Sequence, residues 1–223
     1  MPVSSVHNML QTMVAAEVLT VTENLRYSIG PRGLGIALST VASLDVRTLA
    51  RRYLQDLAKA IGDDVYLAMN LGQRVFYVDR CVGTQRVSLD IRLGEPLLLH
   101  ATATGKLFAA YDARLAARAL AGSLKKLTAN TITDPNKLET EFKRIRSRGY
   151  AKSGEEAVDG VVGYVIPIYS VDDTLAAAIH VSVIGRRATR AHEGKLIDAA
   201  RDCAAQVQRG MGYYKQKALT AVG

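Results

Sequence analysis

Cysteine is scarce: Cys81 and Cys203 are the two in a chain of 223 residues, without C-x-x-C spacing, and the four histidines are scattered. Neither a disulfide framework nor a zinc ribbon has support, and a reducing cytoplasm is the expected setting. No basic segment followed by an apolar one opens the chain, and no apolar run approaches the ~20 residues needed to cross a bilayer, so neither export nor membrane insertion is expected. Internal repeats, low-complexity tracts and a G-x-S-x-G elbow are also missing. Neither cysteine has a local activating signature, which disfavours a nucleophilic hydrolase.

What is present is ordinary globular material, with 48% hydrophobic and 22% charged residues. That suits one large domain, or one domain plus a small appendage, with a real core. Lys and Arg number 29 against 21 Asp and Glu, a formal charge of +8. Such a surface attracts polyanions, nucleic acid among them, without identifying one.

From Val6 the apolar residues Val6, Met9, Leu10, Met13 and Val14 recur at helical spacing, with Pro2 where a first turn tolerates a missing N–H. The opposite face carries Ser4, Ser5, His7, Asn8, Gln11 and Thr12, short uncharged donors and acceptors rather than a Lys/Glu mixture. Residues 18–21 and 25–29 read as short strands around the polar turn Thr22, Glu23, Asn24, with Arg26 just beyond it. Gly30 and Pro31 then precede a helical stretch containing Leu34, Ile36, Leu38 and Val41, which places a boundary near Ser43.

A second helix is expected over 44–61, then strands at 65–69, 75–78 and 87–91, with Asn70, Leu71 and Gly72 turning between the first two. A helix begins near Thr104, and another spans 134–148, where Thr133 can cap the start and Gly149 the end. Extended segments at 161–168 and 175–183, turned by Asp172 and Asp173, precede a last helix containing Leu196, Ile197, Ala200, Cys203, Ala204 and Val207. Strands in antiparallel runs argue for an α+β, sensor-like body rather than a doubly wound nucleotide fold.

Three stretches resemble chemistry without supporting it. GPRGLG has the order G-x-x-G-x-G and lacks the strand–turn–helix context of a dinucleotide fingerprint. HATATGKL resembles the end of a phosphate-binding loop, but His100 stands where the first glycine should be and Leu107 where Ser or Thr should meet magnesium. Glu155 and Glu156 are neighbours that would point to opposite faces of an extended segment, which reads as a solvated loop.

PVSSVHNMLQTMVAAEVL followed by LRYSIGPRGLGIALS resembles the recognition helix, wing and linker of the IclR family of bacterial transcriptional regulators. LLHATATGKLFAAY, IRSRGYAKSGEEAVDGVVGYVIPIYS and AAAIHVSVIGRR are similar to successive signatures of that family's effector-binding domain. The resemblance implies a partial winged helix-turn-helix over 1–30, a linker helix over 31–43, and over 44–220 a GAF-like effector-binding domain with a curved antiparallel sheet flanked by helices. It also implies homodimers or dimers of dimers on operator DNA. Ser4, Ser5, His7, Asn8, Gln11 and Thr12 would read base edges, and Arg26 would neutralise a phosphate. A helix-turn-helix needs helices before its recognition helix, so Met1 is expected to be an internal position of a longer natural protein.

For the effector cup, the resemblance points to Ala103 and Thr104 at a helix start, where free N–H groups hold carboxylates. Opposite them it points to His180 and Ser182, and to Gly163, where many relatives have cysteine. Leu89, Leu97 and Val161 would form an apolar wall or be plain core, Arg86 could pair with an acidic group at the rim, and His180 could be a satisfied buried histidine. The expected effector is a small organic acid or phenolic metabolite, with no cofactor, no metal and no enzymatic activity. One alternative is an effector module that binds ligand and oligomerises without holding DNA. The other is an enzyme using His100, Glu156 and His180.

Overall fold

The computed structural model of the chain describes residues 3–42, 46–85 and 91–213. The chain divides into two compact units, 1–45 and 46–223.

In the first unit, α1 (Val3–Ala15) is followed by the hairpin β1 (Leu19–Val21) and β2 (Tyr27–Ile29) and by α2 (Pro31–Ala42). Leu19 pairs with Ile29 and Val21 with Tyr27, and the Thr20 and Ser28 hydroxyls meet across the pair at 2.7 Å. Two of the three glycines of GPRGLG, Gly30 and Gly33, have a packing role here, whereas a Cβ on Gly35 would meet nothing within 4 Å. A Cβ on Gly30 would lie 2.3 Å from the Glu17 carbonyl oxygen, and one on Gly33 would lie 2.2 Å from that of Val18. Residues 30–33, at the start of α2, therefore dock backbone to backbone against the Glu17 and Val18 turn between α1 and β1, and the Arg32 amide donates to the Glu17 carbonyl at 3.0 Å.

The second unit is built on a five-stranded antiparallel sheet in the order β4-β3-β7-β6-β5. Its strands are β3 (Asp64–Leu71), β4 (Arg74–Cys81), β5 (Ala151–Gly154), β6 (Val161–Tyr169) and β7 (Leu175–Ile184). One face is covered by α3 (Val46–Ile61) and α7 (Arg190–Gly210), which bury Leu54, Leu57, Leu196 and Val207 against Val65, Leu67, Ile179 and Val181. The other face carries α4 (Ala103–Tyr111), α5 (Ala113–Ala121) and α6 (Pro135–Arg148), with Leu107, Phe108, Leu138 and Phe142 packed on Tyr66, Ala68, Val165 and Ala178. Among the described residues no helix is long and apolar enough to cross a membrane.

Several expectations change. The start of α6 is capped by Asp134, whose carboxylate accepts the Asn136 amide at 2.8 Å, rather than by Thr133, because Pro135 takes the first helical position. Gly149 closes the helix at φ 75°. The β3–β4 turn consists of Gly72 and Gln73, both at positive φ, so Asn70 and Leu71 remain in the strand. The strand β5 has no counterpart in the sequence reading. The expected strand at 87–91 falls largely on residues 86–90, outside the described residues.

One irregularity places the site. Leu67 pairs with Asp79 but Ala68 pairs with Tyr77, leaving Val78 as the extra residue of a bulge. The bulge reverses which side of β4 faces which layer. Val75 and Tyr77 join the α4–α6 side, while Cys81 joins the α3–α7 core and Asp79 receives Arg51 at 2.6 Å.

Candidate functional site: an apolar cavity at the start of α4

A cavity of about 140 Å³ lies between the sheet and the beginning of α4. A cavity of roughly 150 Å³ takes a benzene ring. Its lining includes Leu97, Ala103, Val161, Gly163 and His180, all nominated from the sequence, together with Tyr77 and Thr102, which were not. None of the described lining residues carries a formal charge at neutral pH, so polar recognition falls on the Ser153 hydroxyl, which already donates to the Ala101 carbonyl at 3.2 Å, and on three further groups.

The first is the helix start. Thr102 caps α4: its hydroxyl oxygen accepts the Gly105 amide at 2.9 Å, and its carbonyl accepts the Lys106 amide at 3.0 Å. Of the first four amides, those of Ala103 and Thr104, at the positive end of the helix, have no hydrogen-bond acceptor among the described residues.

The second is His180 on β7. It stacks on Tyr77 with centroids 5.2 Å apart and 15° between planes, and on Tyr66 at 5.6 Å. Burial pushes its imidazole down to about 3, so it is neutral at physiological pH. Its Nδ1 is buried and has no hydrogen-bond partner among the described residues. His180 is therefore not a satisfied core histidine, and an unpaired buried polar atom on a cavity wall is costly unless something arrives to pair with it.

The third is Tyr77. Its hydroxyl meets that of Thr104 at 2.9 Å, and burial raises its pKa well above the ordinary phenol value, so it stays protonated. Thr104 is thus a buried support for Tyr77 rather than a lining residue. Ser182 stands opposite Gly163 and is buried, but does not line the cavity. Arg86 and Leu89 lie outside the described residues.

Gly163 makes room for the imidazole. A Cβ there would lie 2.8 Å from His180 Nε2 and 3.3 Å from the Ala103 Cβ. Because the ring is held by two stacked tyrosines, a side chain at 163 displaces it and narrows the cavity. Gly163→Cys is expected to weaken binding of a ring-sized acid about tenfold or more, corresponding to roughly 1.4 kcal/mol. Titration calorimetry checks this, and equal affinity in the variant contradicts it.

The residues weighed for an enzyme do not converge. His100 Nε2 is hydrogen-bonded to the Lys125 carbonyl at 3.0 Å, and the Glu156 carboxylate is held by Lys106 at 2.6 and 2.7 Å. Neither lines the cavity. Glu156 is buried, which corrects its reading as part of a solvated loop.

On the first unit, Ser4, Ser5, His7, Asn8, Gln11 and Thr12 of α1 are all exposed, as is Arg26 between β1 and β2. At 100° per residue the six α1 positions fall within an arc of about 160°. Thr12 donates to the Asn8 carbonyl at 2.8 Å. The apolar arc contains Val6, Met9 and Met13, which are exposed as well.

The model of the bacterial transcriptional regulator IclR C-terminal region matches residues 38–209, so the chain belongs to the IclR family of bacterial transcriptional regulators. It is 28% identical to the HTH-type transcriptional regulator KipR of Bacillus subtilis over 96% of this chain and 86% of that protein. Among solved structures, the Thermotoga maritima IclR is similar with a TM-score of 0.70 and 27% identity, covering 96% of this chain and 87% of that one. An IclR homologue from Microbacterium hydrocarbonoxydans complexed with 4-hydroxybenzoate shares the fold, with a TM-score of 0.69, 20% identity and coverage of 95% and 87%.

Proposed function

We propose that the chain is a ligand-responsive regulator in which the cavity at the α4 start takes a small organic acid or phenol and thereby changes the hold of the first unit on operator DNA. The observation that carries the ligand half is the coincidence, in one uncharged cavity, of the α4 start at Ala103 with a neutral His180 whose Nδ1 has no partner among the described residues. A carboxylate or phenolate would meet the helix start at the Ala103 amide, and an aromatic ring would fit against the apolar wall. The 4-hydroxybenzoate complex of the Microbacterium homologue supports this chemistry.

In this reading residues 1–30 are the partial winged helix-turn-helix, 31–43 the linker helix and 44–220 a GAF-like effector domain, in a homo-oligomer. The exposed polar arc of α1 reads base edges and Arg26 meets a phosphate. No turnover of the bound acid is involved. The test is fluorescence anisotropy of labelled DNA from upstream of the gene, titrated with the chain against random competitor at moderate salt, with and without 4-hydroxybenzoate. Competitor-resistant binding that the acid shifts several-fold is expected. Weak, salt-erased binding with no response to the acid overturns the DNA half and leaves the module that binds ligand alone.

A further inference from the structure

Lys106, in the first turns of α4, is fully buried, and its Nζ donates to both carboxylate oxygens of Glu156. Glu156 belongs to the loop between β5 and β6, and that loop is closed at its base. The Glu155 amide donates to the Val161 carbonyl at 3.0 Å, and the Glu155 carboxylate accepts the Gly160 amide at 3.1 Å. The Glu156 carbonyl accepts the Thr131 hydroxyl at 2.7 Å, and the Glu155 carbonyl accepts that of Thr128 at 2.7 Å. The next two residues, Ala157 and Val158, line the cavity, and Val158 is 49% exposed. Three residues before Lys106, Ala103 lines the same cavity from α4.

We propose that Lys106 and Glu156 are positioning residues, an ion pair that ties the 155–160 loop to α4 and so sets the size of ligand the cavity admits. The proposal rests on the reading of the cavity as the effector site. A bidentate pair suits this task because it is directional, and because lifting the loop stem would leave a lysine charge buried without its partner. The stem is therefore held, and opening is confined to the tip, where Val158 is half in solvent. Ligand enters past Ala157 and Val158, while the distance from roof to helix start stays fixed.

The test uses the full chain and the double variant K106M/E156A, which removes the tie without stranding a lone buried charge. Amide hydrogen exchange is followed in a peptide covering the 155–160 loop and in a reference peptide from α7, which packs on the opposite face of the sheet. Loop exchange is expected to accelerate about tenfold or more in the variant, with α7 unchanged. Affinities are then measured for 4-hydroxybenzoate and the larger 6-hydroxy-2-naphthoate. The unaltered chain is expected to prefer the smaller acid, and the variant to lose affinity for it while its preference narrows about tenfold. Unchanged loop exchange, equal acceleration in α7, or equal loss of affinity for both acids would overturn the proposal. If the unaltered chain binds neither acid, the effector reading and the size-setting role fall together, and the exchange comparison still decides whether the pair holds the loop.

Discussion

Lys106→Met alone lowers the free energy of unfolding by about 3–5 kcal/mol at pH 8, because the Glu156 carboxylate is then buried without its counter-charge. The deficit depends on pH. Burial already raises the Glu156 pKa in the folded chain, and Lys106 is the main influence opposing that rise. Removing Lys106 raises the folded value further. A raised folded pKa favours the native state below the ordinary carboxylate range, and that advantage is lost as pH climbs through the raised value. The variant is therefore closest to the unaltered chain at pH 5 and furthest from it at pH 8, as urea unfolding at the two pH values would show. An equal deficit at both would mean that Glu156 does not remain buried and charged in the variant.

Gly105→Ala is expected to damage the same helix start by a steric route. Its Cβ would stand 2.4 Å from the Leu98 carbonyl oxygen and 2.6 Å from the Leu99 Cα, both backbone atoms with no rotamer to yield. The first turn of α4 must move away, carrying the Ala103 and Thr104 amides out of place. The expected cost is about 1–3 kcal/mol of stability together with loss of ligand binding. Gly154→Ala in β5 is the control, since nothing lies within 4 Å of a Cβ there. Thermal unfolding and calorimetry of the two variants side by side separate this outcome from a general intolerance of substitution, in which both would suffer alike.

Both predictions concern features that sequence patterns reveal unevenly. The helix α6 is legible because its signals are local: a short polar side chain before the start, read as Thr133, and a glycine, left-handed in the structure, at the end. Only the identity of the cap differs: Pro135 takes the first helical position, so the side-chain oxygen that accepts the Asn136 amide is that of Asp134, one residue later than Thr133. The strand β5 is four residues of Ala, Lys, Ser and Gly, without the β-branched or aromatic side chains that mark a strand, and pairing with β6 alone makes it one.

The cavity divides in the same way. Ala103, Gly163 and His180 are reached through motif resemblance, whereas Tyr77 is hidden by the bulge at Val78, which breaks the alternation from which its facing would be read. Lys106 and Glu156 are fifty positions apart, and each has a plain local reading, as the tail of a failed phosphate loop and as a solvated acid. Only the packing of α4 under the β5–β6 loop joins them. Gly30 and Gly33 of GPRGLG show the converse, a local pattern whose cause is close backbone approach rather than a ligand.

The most direct measurement is a calorimetric titration of 4-hydroxybenzoate into the full chain and into His180→Ala, each in two buffers of different ionisation enthalpy at pH 7. The expected result is saturable one-site binding by the unaltered chain and at least a tenfold loss in the variant. Because His180 is already neutral, with its imidazole near 3, the heat should not differ between buffers through proton uptake by that ring. Absence of saturable binding, or equal affinity in the His180→Ala protein, would contradict the assignment of this cavity as the effector site.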